Sequence, residues 1–206
     1  QIMKVDIIDI GVGNISSIKN WLEKSNIPSS IVKIPKNLSS NLIILPGVGS
    51  AKLYEKKLKQ NGFDKAIKNH ISNNGRLIGI CLGYHILFDF LEEDGGVNGL
   101  GLLKGRVERL KSNKSHTSWE SFKFRKDQLS KTWIGDKFSK SKKQILSGRV
   151  FYNHNYGVIS EGKDVLNFKI PNYEYCSCSI SKQIVGFQFH PEKSQVTGQI
   201  LIEMIY

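Results

Sequence analysis

Cysteine is scarce, and its spacing is uninformative for cross-linking. Three cysteines in 206 residues do not make a disulfide framework. Cys176 and Cys178 are two positions apart, so a regular strand would put them on one face about 7 Å apart, poorly placed to bond each other. Cys81 has no second Cys or His at ligand spacing, which argues against a zinc site. Long apolar runs are missing too: no stretch approaches the roughly 18 to 20 residues that span a bilayer. The opening "QIMKVDIIDIGVGN" interrupts its apolar residues with Lys4, Asp6 and Asp9, unlike a secretory signal. Acidic residues are outnumbered, 18 against 30 Lys and Arg, for a net charge of +12. The lysines are nevertheless dispersed, with no zinc-finger spacing and no RNP-like aromatic motif, so a nucleic-acid partner is disfavoured. They read as a solvated surface, or as a basic face for a phosphorylated substrate or an acidic partner. The expectation is a cytoplasmic protein without membrane, metal or cofactor.

What is present is ordinary for a globular chain: 39% apolar and 23% charged residues, enough for one domain spanning 1–206 with a sizeable core. The first half alternates. "MKVDIIDIG" reads as a strand, "VGNISSIKNWLEKSN" as a helix with Ile15, Ile18 and Trp21/Leu22 on one face, "SSIVKI" as a strand, and "NLIILPGVG" as a buried strand stopped at Pro46-Gly47. Two helical segments then meet near Asn61-Gly62, and "RLIGICLGYHILFDFLEE" follows as strand, sharp turn and helix. Such alternation predicts an α/β fold, with a mixed, largely parallel central sheet flanked by helices. The second half reads as short strands, a strand from Ile184 to Phe189, and a C-terminal helix. The segment "KDQLSKTWIGDKFSKSKKQILSG" is the least patterned and reads as a surface excursion.

Gly79-Ile80-Cys81-Leu82-Gly83 has the form glycine, any, nucleophile, any, glycine. In that form a tight strand-to-helix turn lifts the central side chain above the carboxyl ends of the strands. The following helix would aim its N-terminal N–H groups and dipole at the sulfur. A lone cysteine is otherwise an inert core residue, and both readings stand on this motif alone. His190 ends a strand-like run, Pro191 stops pairing beyond it, and Glu192 is near enough to orient an imidazole; a surface His beside a Glu is the plain alternative. "LPGVG" (45–49) either ends a strand or turns backbone N–H groups toward a developing oxyanion. It lacks the lysine and Ser/Thr of a phosphate loop, and "GVGN" lacks dinucleotide-loop spacing.

Together, "LPGVG", "GICLG" and "FQFHPEKS" resemble the class I glutamine amidotransferases, the triad type, over nearly the full chain. "DIGVGNISSIKNWLE", "GLGLLKGRVERL", "SHTSWE" and "NHNYGV" are closest to the branch that serves imidazole glycerol phosphate synthase. The resemblance implies a flavodoxin-like fold with a nucleophile-elbow cysteine. It implies Cys81, His190 and Glu192 as catalytic triad, the N–H groups of Val48 and Leu82 as oxyanion hole, and Gly49, His85, Asn155 and Tyr156 around the glutamine. It further implies a heterodimer with a (β/α)₈-barrel synthase subunit that consumes the ammonia, met by Trp119 and Lys193. The family's "CLGMQ" is here Cys81-Leu82-Gly83-Tyr84-His85. "PHMGWN" becomes Ser115-His116-Thr117-Ser118-Trp119-Glu120, and "FVHSY" becomes Tyr152-Asn153-His154-Asn155-Tyr156. These changes are expected at the pocket and partner face, and they leave open a paralogue feeding ammonia to a sugar amidotransferase of surface-polysaccharide synthesis.

Overall fold

A computed structural model describes residues 3–129, 132–135, 138 and 145–206. Seven strands form the central sheet: β1 (Val5–Ile8), β2 (Ser29–Val32), β3 (Leu42–Gly47), β4 (Arg76–Cys81), β11 (Leu166–Lys169), β12 (Cys176–Ile180) and β13 (Ile184–Phe187). Their order is β11-β12-β13-β4-β3-β1-β2, with β13, β4, β3, β1 and β2 parallel and the β11–β12–β13 edge antiparallel. Helices among the described residues include α1 (Ile15–Lys24), α2 (Ala51–Gln60), α3 (Phe63–Ser72), a single turn α4 (Leu82–His85) and α5 (Gln195–Ile205).

Strands β1, β3 and β4 are buried almost throughout, as parallel strands covered on both faces must be. One core cluster includes Ile18, Trp21 and Leu22 of α1 and Leu201, Ile202 and Ile205 of α5; the other includes Tyr54, Leu58, Phe63 and Ile67 of α2 and α3. Trp21 Nε1–H donates to Gly198 O at 2.8 Å, tying α1 to α5. Asp6 is buried within β1, and its Oδ2 accepts from Ser39 N–H and Ser40 N–H at 2.7 and 2.9 Å, which sets the entry to β3. A buried carboxylate is tolerable only with such donors.

The middle strands build further sheets beside the central one. Strands β5 (Phe90–Leu91), β6 (Val97–Asn98), β7 (Gly105–Arg109) and β10 (Tyr156–Ser160) make a separate four-stranded sheet, and β8 (His116–Arg125) pairs with β9 (Ile145–His154) as a long antiparallel ribbon. Several expectations need correction. The helix after Cys81 is one turn. Beyond it the carbonyls of Ile86, Leu87 and Phe88 accept from the N–H groups of Leu100, Leu102, Leu103 and Gly101, which replaces helical bonding. Cys176 and Cys178 do not share a face. The register shifts between Phe168 and Lys169, an extra residue is accommodated at Ser177, and the two thiols enter opposite core clusters. The strand before His190 ends at Phe187 rather than Phe189. The segment read as a surface excursion buries Leu129, Trp133, Ile134 and Phe138 in the core, because these few apolar side chains anchor an otherwise charged stretch; residues 130–131, 136–137 and 139–144 of it lie outside the described residues.

Candidate active site

Strand β4 delivers Cys81 at its carboxyl end, where φ is +52° and ψ −111°. A non-glycine residue there costs about 1–3 kcal/mol, a strain held by the surroundings. The flanking glycines explain how. A Cβ at Gly83 would collide with the carbonyl oxygen of Leu45 in β3, and one at Gly79 would sit 2.7 Å from Gly83 O. The chain therefore turns with β3, β4 and α4 in backbone contact, and only glycine fits. The short helix contributes individual N–H groups, not the long dipole expected.

Strand β13 lies beside β4, with Phe187 opposite Ile80, so residues more than a hundred positions apart meet at one sheet end. His190 N–H donates to Phe151 O at 2.9 Å, and Ser194 Oγ–H donates to His190 O at 2.6 Å, which fix the segment against β9. His190 Nδ1–H donates to Glu192 Oε1 at 2.7 Å, with both side chains almost wholly buried. On its other side the imidazole faces the cavity that Cys81 also lines. Burial works against charge on His190, but the bonds and charges of Cys81 and Glu192 outweigh it and raise its pKa to about 10.

A cavity of about 260 Å³ opens here, lined among others by Val48, Gly49, Cys81, Leu82, His85, Asn155, Tyr156, His190 and Lys193. All the residues expected at oxyanion hole and pocket are thus brought together. Glu192 stands behind His190. Trp119 does not reach the cavity; it borders a neighbouring hollow with Arg149 and Val196. Tyr84, one of the departures expected at the pocket, is instead in the core: its hydroxyl bonds Ser179 Oγ and its ring fills the space left by Gly186.

Glu93 and Gln188 were not anticipated here, whereas Asn153 and His154 belong to the stretch whose changes were expected at the pocket. Glu93 adds a carboxylate to the cavity, raised to about 7 by burial and neighbouring Asp94 against the Ala51 N–H bond that lowers it. Asn153 brings its carbonyl to 4.0 Å from Cys81 Sγ. His154 is buried; its Nδ1–H donates to Tyr156 O at 2.6 Å, and burial, against that bond and together with nearby histidines, lowers it to about 3. Its Nε2 lies 2.9 Å from His116 Nδ1, and His116 Nε2 is 3.1 Å from Glu120 Oε1. Gln188 lies between His85 and Cys81. Gln188 carried a sequence signal in its place inside "FQFHPE"; Glu93 carried none, because it depends on a loop folding back over the sheet.

A strained cysteine at a strand end, sharing a cavity with a histidine that a carboxylate orients, defines a thiol-nucleophile arrangement. Residues 6–203 match the family described as glutamine amidotransferase class-I, and the chain belongs to that family and is a glutamine amidotransferase. It is similar to the imidazole glycerol phosphate synthase subunit HisH of Aquifex aeolicus, 33% identical over 98% of this chain and 95% of that protein. To subunit HisH 2 of Methanococcus maripaludis it is 36% identical, over 97% and 96%. Among solved structures it is similar in fold to a chain of PurLQS from Thermotoga maritima, TM-score 0.76 at 17% identity, covering 100% of this chain and 98% of that one.

Proposed function

We propose that this chain is the glutaminase subunit of an imidazole glycerol phosphate synthase, acting in histidine biosynthesis. The observation that carries the site assignment is the Cys81–His190–Glu192 line at the ends of adjacent strands, opening on a cavity. Cys81 Sγ attacks the side-chain carboxamide carbon of glutamine, and the carbonyl electrons move to oxygen. The Val48 and Leu82 N–H groups hold that oxyanion. His190 passes its proton to the leaving nitrogen, so the C–N bond breaks as ammonia departs and a glutamyl thioester remains. Water, deprotonated by His190, attacks the thioester; glutamate leaves and the sulfur is restored. Glu192 holds the imidazole's tautomer and supports its charge. Gly49, His85, Asn155 and Tyr156 surround the glutamine, and Glu93 is the carboxylate in the cavity for its ammonium group.

Ammonia passes to a (β/α)₈-barrel synthase subunit docked over the cavity mouth, with Trp119 and Lys193 at the contact. A second reading, the same glutaminase chemistry feeding a sugar amidotransferase, is favoured by His85 and Glu120, where this chain leaves its family's pattern. Co-purification of the native partner separates the two. The mechanism is tested in the complex. Cys81→Ser is expected to abolish synthesis from glutamine while synthesis from ammonium salts continues; glutamine-driven turnover in that variant would refute the assignment.

A further inference from the structure

Gln188 is fully buried just past the end of β13, two residues before His190. Its side chain joins two groups: Oε1 lies 2.6 Å from His85 Nε2, and Nε2 lies 3.9 Å from Cys81 Sγ. A carboxamide has one accepting and one donating end, and its partners set which faces which. Sulfur that is to carry negative charge takes the N–H₂ end. The accepting end then faces His85, which must present Nε2–H. Burial, against the Gln188 bond that favours charge, lowers His85 to about 4, so at neutral pH the ring has a single N–H to give and Gln188 Oε1 receives it. Each donor in this line meets an acceptor.

We propose that Gln188 is a positioning residue for Cys81, with its carboxamide oriented by His85 so that an N–H is aimed at the sulfur. The proposal rests on Cys81 being the nucleophile. It gives His85 a role on the protein side of the pocket as well as toward substrate: the residue that departs from the family pattern also sets how the thiolate is held.

The test uses the full chain, labelling its cysteines with iodoacetamide from pH 5 to 10 and reading each site by mass spectrometry. Gln188→Met keeps the volume and removes both polar ends. It is expected to raise the midpoint of Cys81 labelling by about one pH unit and slow labelling at pH 7 about tenfold. Gln188→Glu aims a carboxylate at the sulfur and is expected to raise the midpoint further; it carries the test if Gln188→Met does not fold. His85→Leu is expected to move the midpoint the same way, less than additively with Gln188→Met. A midpoint unmoved or lowered in the folded Gln188 variants overturns the role of Gln188 alone. A wild-type Cys81 that labels no faster than Cys176 or Cys178 overturns the nucleophile reading beneath it.

Discussion

Three histidines border one cleft, His85, His154 and His190, only 4%, 6% and 4% exposed. His190 is raised to about 10, while His85 and His154 are lowered to about 4 and 3. Burial presses all three toward neutrality, so burial is not what separates them. Partners are: His190 lies between a thiol and a carboxylate, His85 meets a carboxamide, and His154 meets a carbonyl and a second imidazole. One wall of the cleft is built to hold a proton ready for transfer and the other to refuse one. The lesson is that a charged neighbour, not depth, decides which buried imidazole keeps its proton.

The contrast breaks most sharply at Glu192. Glu192→Gln makes the partner of His190 resemble that of His85. Glutamine-dependent turnover is then expected to fall by on the order of 10³- to 10⁴-fold, with ammonia-dependent turnover kept, in paired assays of the complex. The next effect is on stability, with opposite sign on the two walls. His85 has a folded pKa below the unfolded 6.5, so its contribution is present above pH 6.5. As pH falls toward about 4 the unfolded chain takes up a proton that the folded ring refuses, a loss of about 3 kcal/mol. Thermal melts of His85→Gln from pH 7 to 4 are expected to fall less steeply than those of the wild type. His190 has a raised folded pKa, so its contribution is full below pH 6.5 and is lost as pH rises through about 10. Glu192→Gln is expected to flatten that alkaline decline. The smallest effect is on substrate grip: His85→Gln, which restores the family residue, is expected to lower the KM for glutamine severalfold with little change in kcat, measured by steady-state kinetics.

Much of this was readable in the chain. The alternation of apolar strands and amphipathic helices announced the parallel sheet, and Gly79, Gly83, Gly47 and Pro191 punctuated it at the positions that turn the backbone into the site. The failures share a physical cause. Period-two logic placed Cys176 and Cys178 on one face, and a single extra residue at the bulge undid it. Lysine-rich composition hid Trp133, Ile134 and Phe138, because burial of a few large side chains outweighs the average of a segment. Tyr84 was assigned to the pocket by its neighbours in sequence, but one turn of helix carries adjacent residues to opposite sides, and Gly186 had left it room in the core. The line from His85 through Gln188 to Cys81 was invisible because it joins β4 to β13, and no local pattern encodes such pairing.

That pairing also bears on time. β13 slots between β4 and β12, and β4 is made long before it. During synthesis Cys81 emerges with more than a hundred residues still to come before His190, its proposed base. Under the proposed mechanism a growing chain has a thiol without a histidine to draw its proton, and the ability to release ammonia arrives only when the last parallel strand is seated. Reactivity in this molecule is a certificate of finished folding.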